Sequence, residues 1–212
     1  MSSFIESLTE YQLDTLKEIG NIGSGNAATS LSMLLNHKVD MNVPAVRVVG
    51  FDQMMDLVGG ADKLIVAVFL RIEGEAPGNM FFVLSPGEAE TFVKEMTGIE
   101  SFSVEQPPLD EMALSALQEL GNILAGAYLS ALSDFIQVLL QPSVPLLTID
   151  MAGAILAEGL MELSQVSDYA IIIDTIIDDH ENDREPITGH FFLLPDPDSF
   201  PKIFDRLGVS EQ

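Results

Sequence analysis

The sequence predicts an α/β protein, and three observations carry that prediction. Segments with apolar residues at helical spacing alternate with short runs rich in β-branched and aromatic residues. The order of these segments is written twice along the chain. Of the 212 residues, 47% are hydrophobic, enough to bury one sizeable core.

Taken in order, Leu13, Leu16, Ile19 and Ile22, then Leu31, Leu34 and Leu35, place a long helix over residues 9–36, behind a cap candidate at Thr9. Pro44 opens a short apolar run, Ala45 to Val49, and a brief helix from Asp52 to Val58 closes at Gly59-Gly60. Lys63 to Ile72 and Met80 to Leu84 read as strands joined in a hairpin through Glu73 to Gly78. Pro86 to Met96 reads as a helix ended by Gly98. The second half repeats this: a helix over Leu109 to Leu140, an apolar run Leu146 to Ile149, a helix Met151 to Leu163, strands Tyr169 to Ile177 and Ile187 to Leu194, and a helix near Asp198 to Leu207.

The repetition extends to residues. Glu18-Ile19-Gly20-Asn21-Ile22 returns as Glu119-Leu120-Gly121-Asn122-Ile123, an offset of 101 that Pro44 and Pro145 share. The expected architecture for 1–212 is therefore one compact domain with internal pseudo-twofold symmetry. It consists of two αβαββα repeats, about 9–100 and 109–208, with a central sheet flanked by helices. Ser101 to Asp110, with Pro107-Pro108, joins them.

Composition excludes several functions. With 33 acidic and 9 basic residues the net charge is −24, which repels nucleic acid phosphates and anionic lipid. There is no cysteine, hence no disulfide, thiolate metal site or cysteine nucleophile. The N-terminus lacks the pattern of a signal peptide, and no apolar run is long enough to span a bilayer, so a cytoplasmic location is expected. His37, His180 and His190 lack metal-ligand spacing, and the acidic stretch Asp178 to Asp183 lacks that of a calcium loop.

On the first long helix Asp14, Glu18 and Asn21 stand at i, i+4 and i+7, within roughly 60° of one another. Ser115, Glu119 and Asn122 do the same on the second. A solvated face explains one such set, but recurrence of Glu and Asn while neighbours change (Lys17 to Gln118, Ser24 to Ala125) favours a functional pair. Three glycines within residues 20–25 each cost about 1 kcal/mol inside a helix. Gly23 to Ala28 fits G-x-G-x-x-A, yet a helix precedes it where a dinucleotide site needs a strand, and the second copy loses the pattern. Gly25 and Gly126 are expected to serve packing inside the fold. Gly20 and Gly121, beside each Asn, are expected to leave room for a docked partner.

The doubled Asp/Ser-x3-Glu-x2-Asn motif, with a proline twenty-three residues beyond each Asn, resembles the CheC/CheX/FliY family of chemotaxis phosphatases over nearly the whole chain. The absence of an appended switch-type domain favours the CheC branch. The resemblance implies hydrolysis of the aspartyl phosphate on the response regulator CheY, and binding to the receptor deamidase CheD. It assigns water positioning to Asn21 and Asn122, partner anchoring to Glu18 and Glu119, and leaves Asp14, Ser115, Gly20 and Gly121 as flanking positions. It implies no cofactor of the chain's own, the Mg2+ belonging to the receiver. A monomer is expected, internal symmetry supplying what a homodimer would. The alternative is a CheD-binding adaptor or flagellar scaffold without catalysis, for which Met151 to Leu163 and Ser164-Gln165 offer a docking surface.

Overall fold

Thr9 and Asp110 start the two longest helices. In the computed structural model, which describes residues 9–161, 169–178, 186–196 and 198–206, Thr9 Oγ1 accepts from the Gln12 amide while Gln12 Oε1 accepts from the Thr9 amide. Asp110 Oδ1 accepts from the Met112 and Ala113 amides. These side chains satisfy amide groups that helix geometry leaves unpaired. Helices α1 (Glu10–Leu35) and α4 (Glu111–Ile136) follow. Each ends at a residue in the left-handed region, Asn36 and Gln137, so α4 stops short of the expected Leu140.

The remaining elements are β1 (Asp40–Asn42), β2 (Val46–Gly50), α2 (Phe51–Leu57), β3 (Leu64–Gly74), β4 (Gly78–Leu84) and α3 (Pro86–Thr97) in the first half. The second half has β5 (Leu140–Pro142), β6 (Leu146–Met151), α5 (Ala152–Met161), β7 (Tyr169–Asp178), β8 (Ile187–Pro195) and α6 (Ser199–Arg206). Each half therefore carries one strand more than expected, αββαββα in place of αβαββα. The added strands β1 and β5 have three residues each, too few for a periodic signal. They precede Pro44 and Pro145, which cannot donate to a ladder. Three residues, 43–45, face two on β7 between the pairs Asn42–Ile176 and Val46–Ile173. Residues 143–145 face two on β3 between Pro142–Ile72 and Leu146–Phe69 in the same way. Both bends are bulges by this count.

All eight strands form one antiparallel sheet in the order β1-β7-β8-β4-β3-β5, with β2 beside β7 and β6 beside β3. The edges are exchanged: the short strands of the first half pair with the second half's hairpin, and those of the second half with the first's. Alternation along the strands separates two faces. Val66, Val68, Leu70, Phe82, Ile171, Ile173 and Phe191 pack under α1 and α4 in the larger core. Ile65, Ala67, Phe81, Val83, Ile172 and Phe192 pack with Met54 of α2 and Ala152 and Leu156 of α5 in the smaller.

Helices α1 and α4 lie side by side on the larger core and meet at Gly23. A β-carbon there would come within 3.0 Å of the Tyr128 α-carbon. The Tyr128 side chain reaches past this contact into the core, where its hydroxyl shares a 3.0 Å hydrogen bond with Thr175 of β7. Burial pushes the Tyr128 phenol up to about 12, the Thr175 bond pulling slightly the other way. The positions offset by 101 from this pair, Leu124 and Ala27, reverse the sizes.

Two measurements check this packing. Gly121→Ala places a methyl within 2.7 Å of the Val68 β-carbon, and a loss of about 1–3 kcal/mol in urea unfolding is expected. Because the Tyr128 proton is held more tightly in the folded chain, its contribution is complete below the unfolded pKa near 10. It declines between about 10 and about 12, by about 1.4 kcal/mol per pH unit. Denaturant titrations of wild type and Tyr128→Phe across this range should differ by that slope.

Candidate active site

Each long helix buries one stripe against the sheet and presents another to solvent. On α1 the inner stripe is Leu16, Ile19, Gly20, Gly23, Ala27 and Leu31. Asp14 and Glu18 are exposed and Asn21 is half-buried. On α4, Ser115, Glu119 and Asn122 are all exposed while Leu117, Leu120, Gly121 and Leu124 are buried. The sequence-predicted residues are thus brought together within each helix on an accessible surface. Among the described residues, the side chains of Glu18, Glu119 and Asn122 make no hydrogen bond or ion pair within the chain. The Ser115 hydroxyl turns back to the Glu111 carbonyl at 2.9 Å.

The two amides differ. Asn21 Oδ1 accepts from the backbone N–H of Val43 at 3.1 Å. That donor fixes which end of the amide faces inward, leaving Nδ2 and the second lone pair of Oδ1 free. Val43 itself is 2% exposed, whereas Val144, its counterpart by offset, is 84% exposed. On α4 the bend is held from one turn earlier, Gln118 Nε2 donating to the Pro145 carbonyl at 2.7 Å. The doubled proline thereby acquires a structural meaning: it marks the bulge that lies against the motif helix. The Val43 amide is a site feature that side-chain reasoning misses, and the fixed spacing from Asn21 to Pro44 is the signal that points to it.

These contacts also locate the sites. Asn21 lies by the β1–β2 bend at one edge of the sheet, and Gln118, one turn from Asn122, lies by the β5–β6 bend at the other. Five strand spacings separate those edges, about 24 Å. The two Glu/Asn pairs are therefore separate surfaces.

The glycines are distributed otherwise than expected. Gly20 and Gly121 do not clear space on the outer face; both are buried and point to the sheet. A β-carbon at Gly20 would press on Val43 Cγ2 at 3.3 Å and Ile173 Cγ2 at 3.6 Å, and one at Gly121 would collide with Val68. Gly25 and Gly126, expected to serve internal packing, have no atom within 4 Å of such a carbon.

The other candidates fall elsewhere. His190 Nδ1 lies 2.8 Å from Asp174 Oδ1, and Arg47 also reaches that carboxylate at 2.7 Å. These residues stand on the smaller-core face of the sheet. His180, the acidic stretch beyond Asp178, and residues 162–165 of the expected docking surface lie outside the described residues. Of that surface, Ile155 is buried and Ala154 exposed. No described helix is long and apolar enough to cross a membrane.

The model of the CheC-like family matches residues 12–48 and 112–149, the two motif helices with the bends that follow them. The chain is 48% identical over 208 residues to the CheY-P phosphatase CheC of Bacillus subtilis, covering 98% of this chain and 99% of that protein. It is 32% identical over 129 residues to the flagellar motor switch phosphatase FliY of the same organism, covering 61% of this chain and 33% of that one. Among solved structures, Thermotoga maritima FliY superposes with a TM-score of 0.72 at 21% identity, covering 97% of this chain and all of that one. At that identity the likeness speaks to fold alone.

The amide geometry at Asn21 is directly measurable. In hydrogen exchange followed by NMR, the Val43 amide should be protected in the wild type and lose protection, about tenfold for one hydrogen bond of roughly 1 kcal/mol, in Asn21→Ala. In Asn122→Ala its protection should be unchanged.

Proposed function

Since this chain belongs to the CheC-like family, we propose that it is a phosphatase that accelerates hydrolysis of the aspartyl phosphate on a CheY-type receiver, with one Glu/Asn pair on each of α1 and α4. The observation that carries this reading is that both pairs stand on accessible helix faces, with both Glu side chains and Asn122 unengaged within the described chain. Side chains held this way are available to a partner.

The chemistry asks for little else. An acyl phosphate is already reactive, and its hydrolysis needs a water in line with the phosphorus and compensation for charge on the phosphoryl oxygens. In this reading the Asn21 amide holds that water, accepting through the free lone pair of Oδ1 while Nδ2 donates to the water or a phosphoryl oxygen. The Val43 bond fixes the rotamer in advance, which lowers the ordering cost on docking. Asn122 does the same work from a freer starting position. Glu18 and Glu119 pair with the receiver's active-site lysine and so set the docking angle. Asp14 and Ser115, one turn earlier, border the contact.

The divalent cation is assigned to the receiver, this chain contributing no ligand to it. The attacking water supplies the proton balance: its oxygen bonds to phosphorus, the bond to the receiver's Asp breaks, and inorganic phosphate leaves with a regenerated carboxylate. Binding of CheD, a monomeric state and a cytoplasmic location complete the proposal, supported by the family resemblance and, for the monomer, by the edge strands that the two halves already exchange.

The deciding experiment follows decay of the phosphorylated receiver. Asn21→Ala and Asn122→Ala should each leave part of the acceleration and together remove it, a loss of about 10²-fold or more. If the double variant works as well as wild type, the residue assignment is wrong. If wild type does not accelerate decay, an adaptor role replaces catalysis.

A further inference from the structure

Five glycines lie on the two motif helices, and contacts within the chain account for three: Gly20 against Val43 and Ile173, Gly23 against Tyr128, and Gly121 against Val68. Gly25 and Gly126 have no such reason. Nothing lies within 4 Å of a β-carbon at either position, and neither has the positive φ that favours glycine. Each interrupts the middle of a 26-residue helix, where glycine is the poorest choice short of proline. Gly87 of α3 is equally open, but it follows Pro86 in the first turn, where the ladder is not yet complete.

What the two have in common is their place. Each stands seven residues after the Glu and four after the Asn, while the residues beside them differ, Ser24 and Asn26 in one copy and Ala125 and Ala127 in the other. Seven residues before each Glu stands a large apolar side chain left in water, Tyr11 at 68% exposure and Met112 at 63%. Four after each Glu is an isoleucine, Ile22 exposed and Ile123 half-buried. Steps of four and seven residues keep all of these within roughly 60° of the Glu, along about 21 Å of helix.

We propose that the recognition surface for the phosphorylated receiver runs the length of this stripe on each helix. Tyr11 or Met112 is an apolar anchor at one end. Gly25 or Gly126 is the point at the other end where receiver backbone lies directly against the helix. The occupant is the receiver because the stripe is continuous with the Glu/Asn pair at its centre, and the inference rests on the function proposed above. Gly25 and Gly126 are positioning residues: they take no part in the chemistry, and a side chain there would obstruct docking of the partner and so weaken its binding.

The test uses the full chain with three variants: Gly25→Ala with Gly126→Ala, Gly25→Gln with Gly126→Gln, and Tyr11→Ser with Met112→Ser. Thermal midpoint and steady-state receiver dephosphorylation are measured on each. The Ala pair should melt a few degrees higher than wild type yet lose about tenfold in kcat/KM, carried by KM. The Gln pair should lose more, and the Ser pair should raise KM with its midpoint unchanged. A wild-type KM in the Ala pair, or a lowered midpoint that would reveal an internal packing role, overturns the proposal while leaving the phosphatase reading intact. Failure of wild type to accelerate dephosphorylation removes both.

Discussion

The depth at which each long helix rests on the sheet is the constraint on which the rest depends. Gly121 is pressed against Val68 with no room for a methyl, Gly20 sits tightly against Val43, where a methyl would meet Cγ2 at 3.3 Å, and Gly23 lets α1 close on the backbone of α4. A helix seated through buried glycines resists rolling, because rotation would bring a side chain into the gap they leave. The residue after each glycine is the Asn, and the Glu lies two before it. Fixing the inner position therefore fixes the outer ones, in accord with a site built on helices that are rigid because they are packed.

The sheet adds a second layer of control. Its edges are strands lent by the opposite half, so the bend beside Asn21 is anchored on β7 and the bend beside Gln118 on β3. In each case a motif helix from one half is stacked over a hairpin from the other, with the exchanged strands as the link. Disturbance of either hairpin would thus be felt at the candidate site belonging to the other half. The difference between the amides, one tied to Val43 and one free, follows from how the two bends are closed.

Much of this was legible in the sequence because it rests on local chemistry. The cap at Thr9, the hairpin through Gly74 and the arrest of α3 at Gly98 are short-range signals; the cap at Asp110 is equally local, but the expected helix begins at Leu109 and passes over it. The Glu/Asn pairs stand out as candidates because they are written twice. The strand order was not, since outside the two hairpins it pairs residues from 66 (Gly74–Leu140) to 138 (Asp40–Asp178) positions apart, and β1 and β5 are too short to show a period. The glycines are the instructive case. Five residues separate Gly20 from Gly25, about 140° of helix, so spacing places them on different faces without saying which is inner. That choice is made by Val43, Ile173 and Val68, which lie beyond the reach of any local pattern.

The exchange of edge strands has one more consequence. Nothing in the pairing scheme requires the two halves to be covalently joined, since the contacts that hold them would be equally good between separate chains. Two such chains would associate by mass action and come apart on dilution. The ten residues from Ser101 to Asp110 turn that encounter into an intramolecular one at a high effective concentration, so both amides stay presented however scarce the protein is.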